Sequence, residues 1–144
     1  SPAHKNAVLN LCRYLLAKGN VVLIFPEGQR SREGRFDAER LRFGVGKILT
    51  SLENAKVLCV YLRSDKQETF SNYPPKDSSF HLQMKLIEPS IEGASKKRAS
   101  IAAVKEIGAV IERMENEYFT PGTQAPSPAS VPLRDADVRG DSSS

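Results

Sequence analysis

Apolar residues recur at helical spacing at the start of the chain. Val8, Leu11, Cys12, Leu15 and Leu16 share one face of residues 2–18, which predicts an amphipathic helix. Ser1 suits its N-cap, Pro2 its first turn and Gly19 a left-handed stop. The run Val21-Val22-Leu23-Ile24-Phe25 is wholly apolar and mostly β-branched, as in a strand buried on both faces of a parallel sheet. A polar loop separates it from a second predicted helix, about 38–52, with Leu41, Val45, Ile48, Leu49 and Leu52 facing inward. Residues 56–62 form another apolar run. After a long loop containing Pro74-Pro75, residues 79–87 alternate. Phe80, Leu82, Met84 and Leu86 share one face, and His81, Gln83 and Lys85 share the other, which predicts a strand with one wet side. The last predicted helix, about 95–118, carries Ile101, Val104, Ile107, Ile111, Met114 and Tyr118 along one stripe. This order of elements points to an α/β fold: a mixed, mostly parallel sheet flanked by helices.

The pattern stops near residue 120. All ten aromatic residues lie at or before Phe119, and residues 120–144 hold four prolines and five serines. Such a segment cannot bury enough surface to offset its ordering entropy, so a folded unit at 1–119 and a disordered tail at 120–144 are expected. With 144 residues, 40% hydrophobic and 26% charged, the chain fits one globular domain and neither a wholly disordered polypeptide nor a membrane bundle. The net charge of +4 is too small to predict nucleic-acid binding by itself. Cys12 and Cys59, each among apolar residues, read as buried thiols in a reduced, cytoplasmic setting rather than a disulfide scaffold or zinc site. No apolar run approaches the roughly 20 residues that span a bilayer. The first residue is Ser rather than Met and no signal-peptide layout follows it, so a processed or partial product is expected.

The chemistry concentrates in Phe25-Pro26-Glu27-Gly28-Gln29-Arg30-Ser31-Arg32-Glu33-Gly34-Arg35-Phe36. It begins where an apolar run ends, the place where open α/β sheets put their ligands. Pro26 ends the ladder bonding and Gly28 permits a close or left-handed approach. A guanidinium at Arg30 can grip phosphate or carboxylate through two parallel hydrogen bonds, and Arg32 and Arg35 add positive potential. The rival reading is a solvated arginine loop in which Glu27 and Arg30 form a structural ion pair.

Phe25 to Ser31 resembles the Phe-Pro-Glu-Gly-Thr-Arg-Ser block of the glycerolphosphate and lysophosphatidic acid acyltransferases, matching six positions of seven. The helix ending in Lys18-Gly19, the apolar run before the block, Ser31-Arg32-Glu33-Gly34, the Phe43-Gly44-Val45-Gly46-Lys47 helix and the Val57–Tyr61 strand extend the likeness over about residues 1–90. Gln29 stands where that family has Thr, and the Val57–Tyr61 strand lacks its proline. The family's His-x-x-x-x-Asp motif is absent: Leu9 and Leu86 stand five residues beyond His4 and His81. Its second block, with a substrate-binding arginine, is absent too. The resemblance therefore implies the C-terminal portion of an acyltransferase sandwich, inactive alone.

In that family a histidine steadied by an aspartate acts as general base on a glycerol phosphate or lysophospholipid hydroxyl. The activated oxygen then attacks the thioester of acyl-CoA or acyl carrier protein. The resemblance assigns Glu27, Gly28 and Arg30 to the acceptor phosphate, and Phe25, Pro26, Gln29 and Ser31 to the shape of the loop. It implies an acyl donor as co-substrate with no cofactor and no metal, and a peripheral place on the cytoplasmic side of a membrane or attachment through other segments. The alternative is a non-catalytic relative that binds phosphate or lipid. His4 and His81 read as solvated, and neither has a partner at ligand spacing. Lys96-Lys97-Arg98 reads as a solvated helix start rather than a lipid contact. Arg30, Arg32, Arg35, Arg40 and Arg42 are diluted by Glu33, Asp37 and Glu39 without stacking aromatics, so no nucleic-acid partner is expected.

Overall fold

The computed structural model describes residues 1–67, 71–91 and 95–120. The expected tail, apart from Thr120, lies outside them. The first helix, α1 (Pro2–Ala17), begins as its sequence dictates: Ser1 Oγ accepts from His4 N at 3.4 Å, and Gly19 closes it at φ +84°. A 3-10 turn (Ala38–Arg40) and a short helix α2 (Gly44–Leu49) follow. Strands β1 (Val57–Ser64) and β2 (Phe80–Ile87) then pair, and the long helix α3 (Lys96–Phe119) closes the described chain, capped by Ser95.

The core lies between α3 and one side of β1, with α2 at its end. Leu49, Cys59, Tyr61, Ala103, Ile107, Val110, Ile111 and Met114 are buried together there. The stripe expected on the last helix is therefore the one that packs. Helix α2 meets α3 at very close range. A Cβ at Gly46 would lie 2.2 Å from the Ser100 carbonyl oxygen, so only glycine allows this approach. Helix α1 buries no residue completely; Arg13 Nη2 donates to the Lys47 carbonyl at 3.1 Å and ties it to α2.

Four expectations are corrected. The sheet, among the described residues, has two strands and is antiparallel, with Val57 opposite Ile87 and Ser64 opposite Phe80. The expectation of a mostly parallel sheet fails because a loop, not a crossover helix, joins β1 to β2. Residues 21–25 form no strand and join no ladder among the described residues, and Val21, Leu23 and Phe25 are 95%, 78% and 74% exposed. An apolar β-branched run favours extended backbone, but a strand also needs a neighbour's N–H and C=O groups. The single helix expected over 38–52 is the 3-10 turn and α2, separated by Leu41–Phe43. Lastly, the wet side of β2 is reversed. Its apolar set is exposed, whereas His81 and Gln83 are partly buried on the side that faces α3. Alternation tells which residues share a face; cross-strand register decides which face meets the helix. Cys59 and Tyr61 of β1 pack on α3, and their partners Lys85 and Gln83 must point the same way.

Candidate functional site

The Phe25–Ser31 block folds into a turn at the end of the apolar run. Gly28 N donates to the Phe25 carbonyl at 3.0 Å, and the Pro26 carbonyl accepts from Arg42 N at 2.9 Å. Gly28 adopts φ +70°, and the Arg42 side chain lies against it so closely that a Cβ would come within 2.6 Å of Nε. The left-handed conformation favours glycine, and an added Cβ would also push the exposed Arg42 side chain aside. Glu27 Oε1 accepts from Asp37 N at 3.1 Å, so this carboxylate closes the loop from Glu27 to Asp37. Ser31 Oγ accepts from Arg35 N at 3.3 Å. Arg30 Nη2 donates to the Ser71 carbonyl at 3.0 Å, which joins the block to the loop between β1 and β2.

The far side of the loop is fastened to α3. Glu115, whose side chain is 6% exposed, accepts from Arg35 Nε at 3.0 Å, from Phe36 N at 2.9 Å and from the Tyr61 hydroxyl at 3.3 Å. Three donors satisfy the hydrogen-bonding capacity that burial would otherwise leave unmet. Arg63 donates to the Gly34 carbonyl, and its guanidinium lies over the Phe119 and Tyr118 rings. Burial pushes the Tyr61 phenol above its ordinary range; a hydrogen bond from Arg63 opposes that shift and the Glu115 charge adds to it. Burial likewise raises the Cys59 thiol, with the Glu106 charge adding and Lys85 opposing. Cys59 is thus a thiol rather than a thiolate, and it is 3% exposed.

The loop, β1 and α3 border an open cavity of about 450 Å³. Among the described residues Arg30, Arg32, Arg35, Arg63 and Lys66 line it, with two carboxylates, Glu27 and Glu115. Phe25, Val60, Leu62 and Phe80 add apolar surface to the same lining. Of the residues singled out in the sequence, Phe25, Pro26, Glu27, Arg30 and Ser31 line the cavity; Gly28 and Gln29 are not among its lining residues, and Gly28 N makes the turn's bond to the Phe25 carbonyl. No ion pair of Glu27 with Arg30 is required to account for Glu27. His81 is not solvated as expected: its ring lies 4.9 Å from that of Tyr118 and 6.5 Å from that of Tyr61, on the side facing α3. His4 is exposed on α1.

Arg63, Lys66, Tyr61 and Glu115 were not legible as site residues. One signal was available. Glu115 stands four residues after Ile111 and three before Tyr118, which puts a carboxylate on the apolar face of a helix. Among the described residues no cluster of three or more His, Cys, Asp or Glu side chains could hold a metal ion, and no helix is long and apolar enough to cross a membrane.

One comparison bears on the chain's family. A family model described as Acyltransferase matches residues 1–93. The chain belongs to the acyltransferase family. No curated protein and no solved structure matches it. The match ends before α3, so the helix that fastens the loop of this acyltransferase-family chain lies beyond the shared region.

Proposed function

We propose that this chain supplies the acceptor-phosphate-binding half of an acyltransferase of phospholipid biosynthesis. The complete enzyme moves a fatty acyl group from acyl-CoA or acyl carrier protein to the hydroxyl of a glycerol phosphate or lysophospholipid. One observation carries the reading. The Phe25–Ser31 block, which resembles the family's, borders a cavity whose described lining combines five cations with apolar side chains. A phosphorylated acceptor places a doubly charged group beside a neutral glycerol or an acyl chain, and a mixed cationic and apolar lining suits both parts. Arg30 grips the phosphate, Gly28 lets the backbone turn beneath it, and Glu27 keeps the loop from opening. Holding the phosphate fixes where the acceptor hydroxyl lies, which is what a general base needs before it can act.

That base is not among these residues, since neither histidine has an aspartate five positions on. Acyl-CoA or acyl carrier protein enters as co-substrate, and the work takes place at the cytoplasmic face of a membrane, where acylated products partition. Arg30→Ala is expected to weaken glycerol 3-phosphate binding by roughly tenfold to a hundredfold, the loss of charged hydrogen bonds to an anion. Affinity for the acyl donor should change far less. Isothermal titration with each ligand separates the two, and unchanged glycerol 3-phosphate affinity defeats the phosphate role. The isolated chain is expected to show no acyl transfer; turnover would mean that another group serves as base.

A further inference from the structure

Two arginines outside the Phe25–Ser31 block meet the last residue of α3. Arg35 Cζ lies 3.9 Å from the centroid of the Phe119 ring, and Arg63 Cζ lies 4.6 Å from it. Each is oriented by contacts that use only part of its guanidinium. Glu115 takes Arg35 Nε, Phe119 takes a face, and neither Nη of Arg35 has a partner among the described residues. Arg63 spends Nη1 on the Gly34 carbonyl, which brings its head against the residue preceding Arg35. Both side chains line the cavity. Arg35 remains 49% exposed even though its acid partner is buried.

Among the described residues the one carboxylate that reaches Arg35 is Glu115, which is shared with the Phe36 amide and the Tyr61 hydroxyl. No carboxylate among the described residues forms an ion pair with Arg63. Stacking on an aromatic ring fixes a guanidinium plane while leaving its edge N–H groups able to donate. A planar pair of donors on a fixed plane matches the geometry of a phosphoryl group better than a mobile ammonium does.

We propose that Arg35 and Arg63, held by Glu115 and Phe119, form a phosphoryl-binding subsite separate from the Arg30 contact. The proposal rests on reading this cavity as the place where a phosphorylated acceptor binds. Two ligands of this family reading carry the required group: the acceptor's phosphate monoester, and the phosphates of a coenzyme A donor.

Arginine modification by phenylglyoxal tests the unaltered 144-residue chain, with each arginine followed by mass spectrometry. The two probes are glycerol 3-phosphate and coenzyme A. At ten times its dissociation constant, a ligand in the subsite should slow modification of Arg35 and Arg63 about tenfold. Arg98, exposed at the start of α3, serves as the reference and should react at an unchanged rate. Protection by glycerol 3-phosphate alone assigns the subsite to the acceptor, and protection by coenzyme A alone assigns it to the donor. Equal rates with and without both probes overturn the proposal, as does equal slowing at Arg98. Protection at Arg30 without protection at Arg35 and Arg63 overturns the subsite while leaving the acceptor reading in place; protection at Arg35 and Arg63 without protection at Arg30 keeps the subsite and removes Arg30 from the phosphate contact. In a second arm, Arg63→Gln should weaken binding of the protecting probe about tenfold or more, the loss of one charged contact. Arg98→Gln should not.

Discussion

Glu115 shows how much of the site one side chain can govern. It satisfies Arg35, the Phe36 amide and the Tyr61 hydroxyl from a position with almost no access to water. Truncating it leaves a guanidinium and a buried N–H without their acceptor. Glu115→Ala should therefore lower unfolding free energy by about 2–3 kcal/mol. Glu115→Gln, which keeps one acceptor oxygen, should lose less. Urea denaturation measures both, and a loss under ~0.5 kcal/mol for the alanine variant contradicts the anchoring role. Tyr61 and Cys59 give the molecule an alkaline weakness. Each has a folded-state pKa above its unfolded value, so the neutral form is the one that folding favours. Their contribution is complete below the unfolded values. It declines as pH rises from about 9 for the thiol and about 10 for the phenol. Melting temperature should fall over that window, and Tyr61→Phe should flatten the upper part of the fall. At this scale the sequence revealed the block itself, because Pro26, Gly28 and Arg30 carry local rules. It concealed Arg63 and Glu115, whose roles come from contacts across 29 and 80 positions of chain.

Among the elements, helices were the most legible. Periodicity, the Ser1 and Ser95 caps and the stripe on α3 all belong to single segments and need no partner to be read. Strands depend on two segments, which is why residues 21–25 and the facing of β2 came out differently. The Gly44-Val45-Gly46 stretch in α2 has a reason that only packing reveals, the close approach to Ser100. Gly46→Ala would gain helix propensity but drive a methyl group into backbone. The second effect should prevail, costing about 1–3 kcal/mol in thermal or chemical unfolding. Neutral or increased stability would mean that α2 and α3 can move apart without penalty.

For the molecule as a whole, the prominent property is an apolar sheet face on which no helix among the described residues packs. Leu58, Val60, Leu62, Leu82, Met84 and Leu86 point away from α3 and are 44–61% exposed, and Phe80 stands beside them. A patch of this kind exceeds the scattered apolar exposure normal for a domain. The 144-residue chain should therefore bind a hydrophobic reporter dye strongly. Leu82→Lys with Met84→Lys should reduce that binding while changing stability by no more than ~0.5 kcal/mol, as expected for side chains outside the core. A large loss of stability would place them inside the packing instead. The α/β class was legible in the order of elements, but overall architecture was not, because hydropathy marks a surface as apolar without saying what lies against it. The link from Glu115 to Arg35 also has a bearing on biosynthesis. At roughly 5–20 residues per second, the ribosome needs roughly 4–16 s to add the 80 residues that separate them. Until then the nascent polypeptide carries residues 35 and 36 without the Glu115 carboxylate that fastens them, so this loop takes its final shape only once α3 has been made.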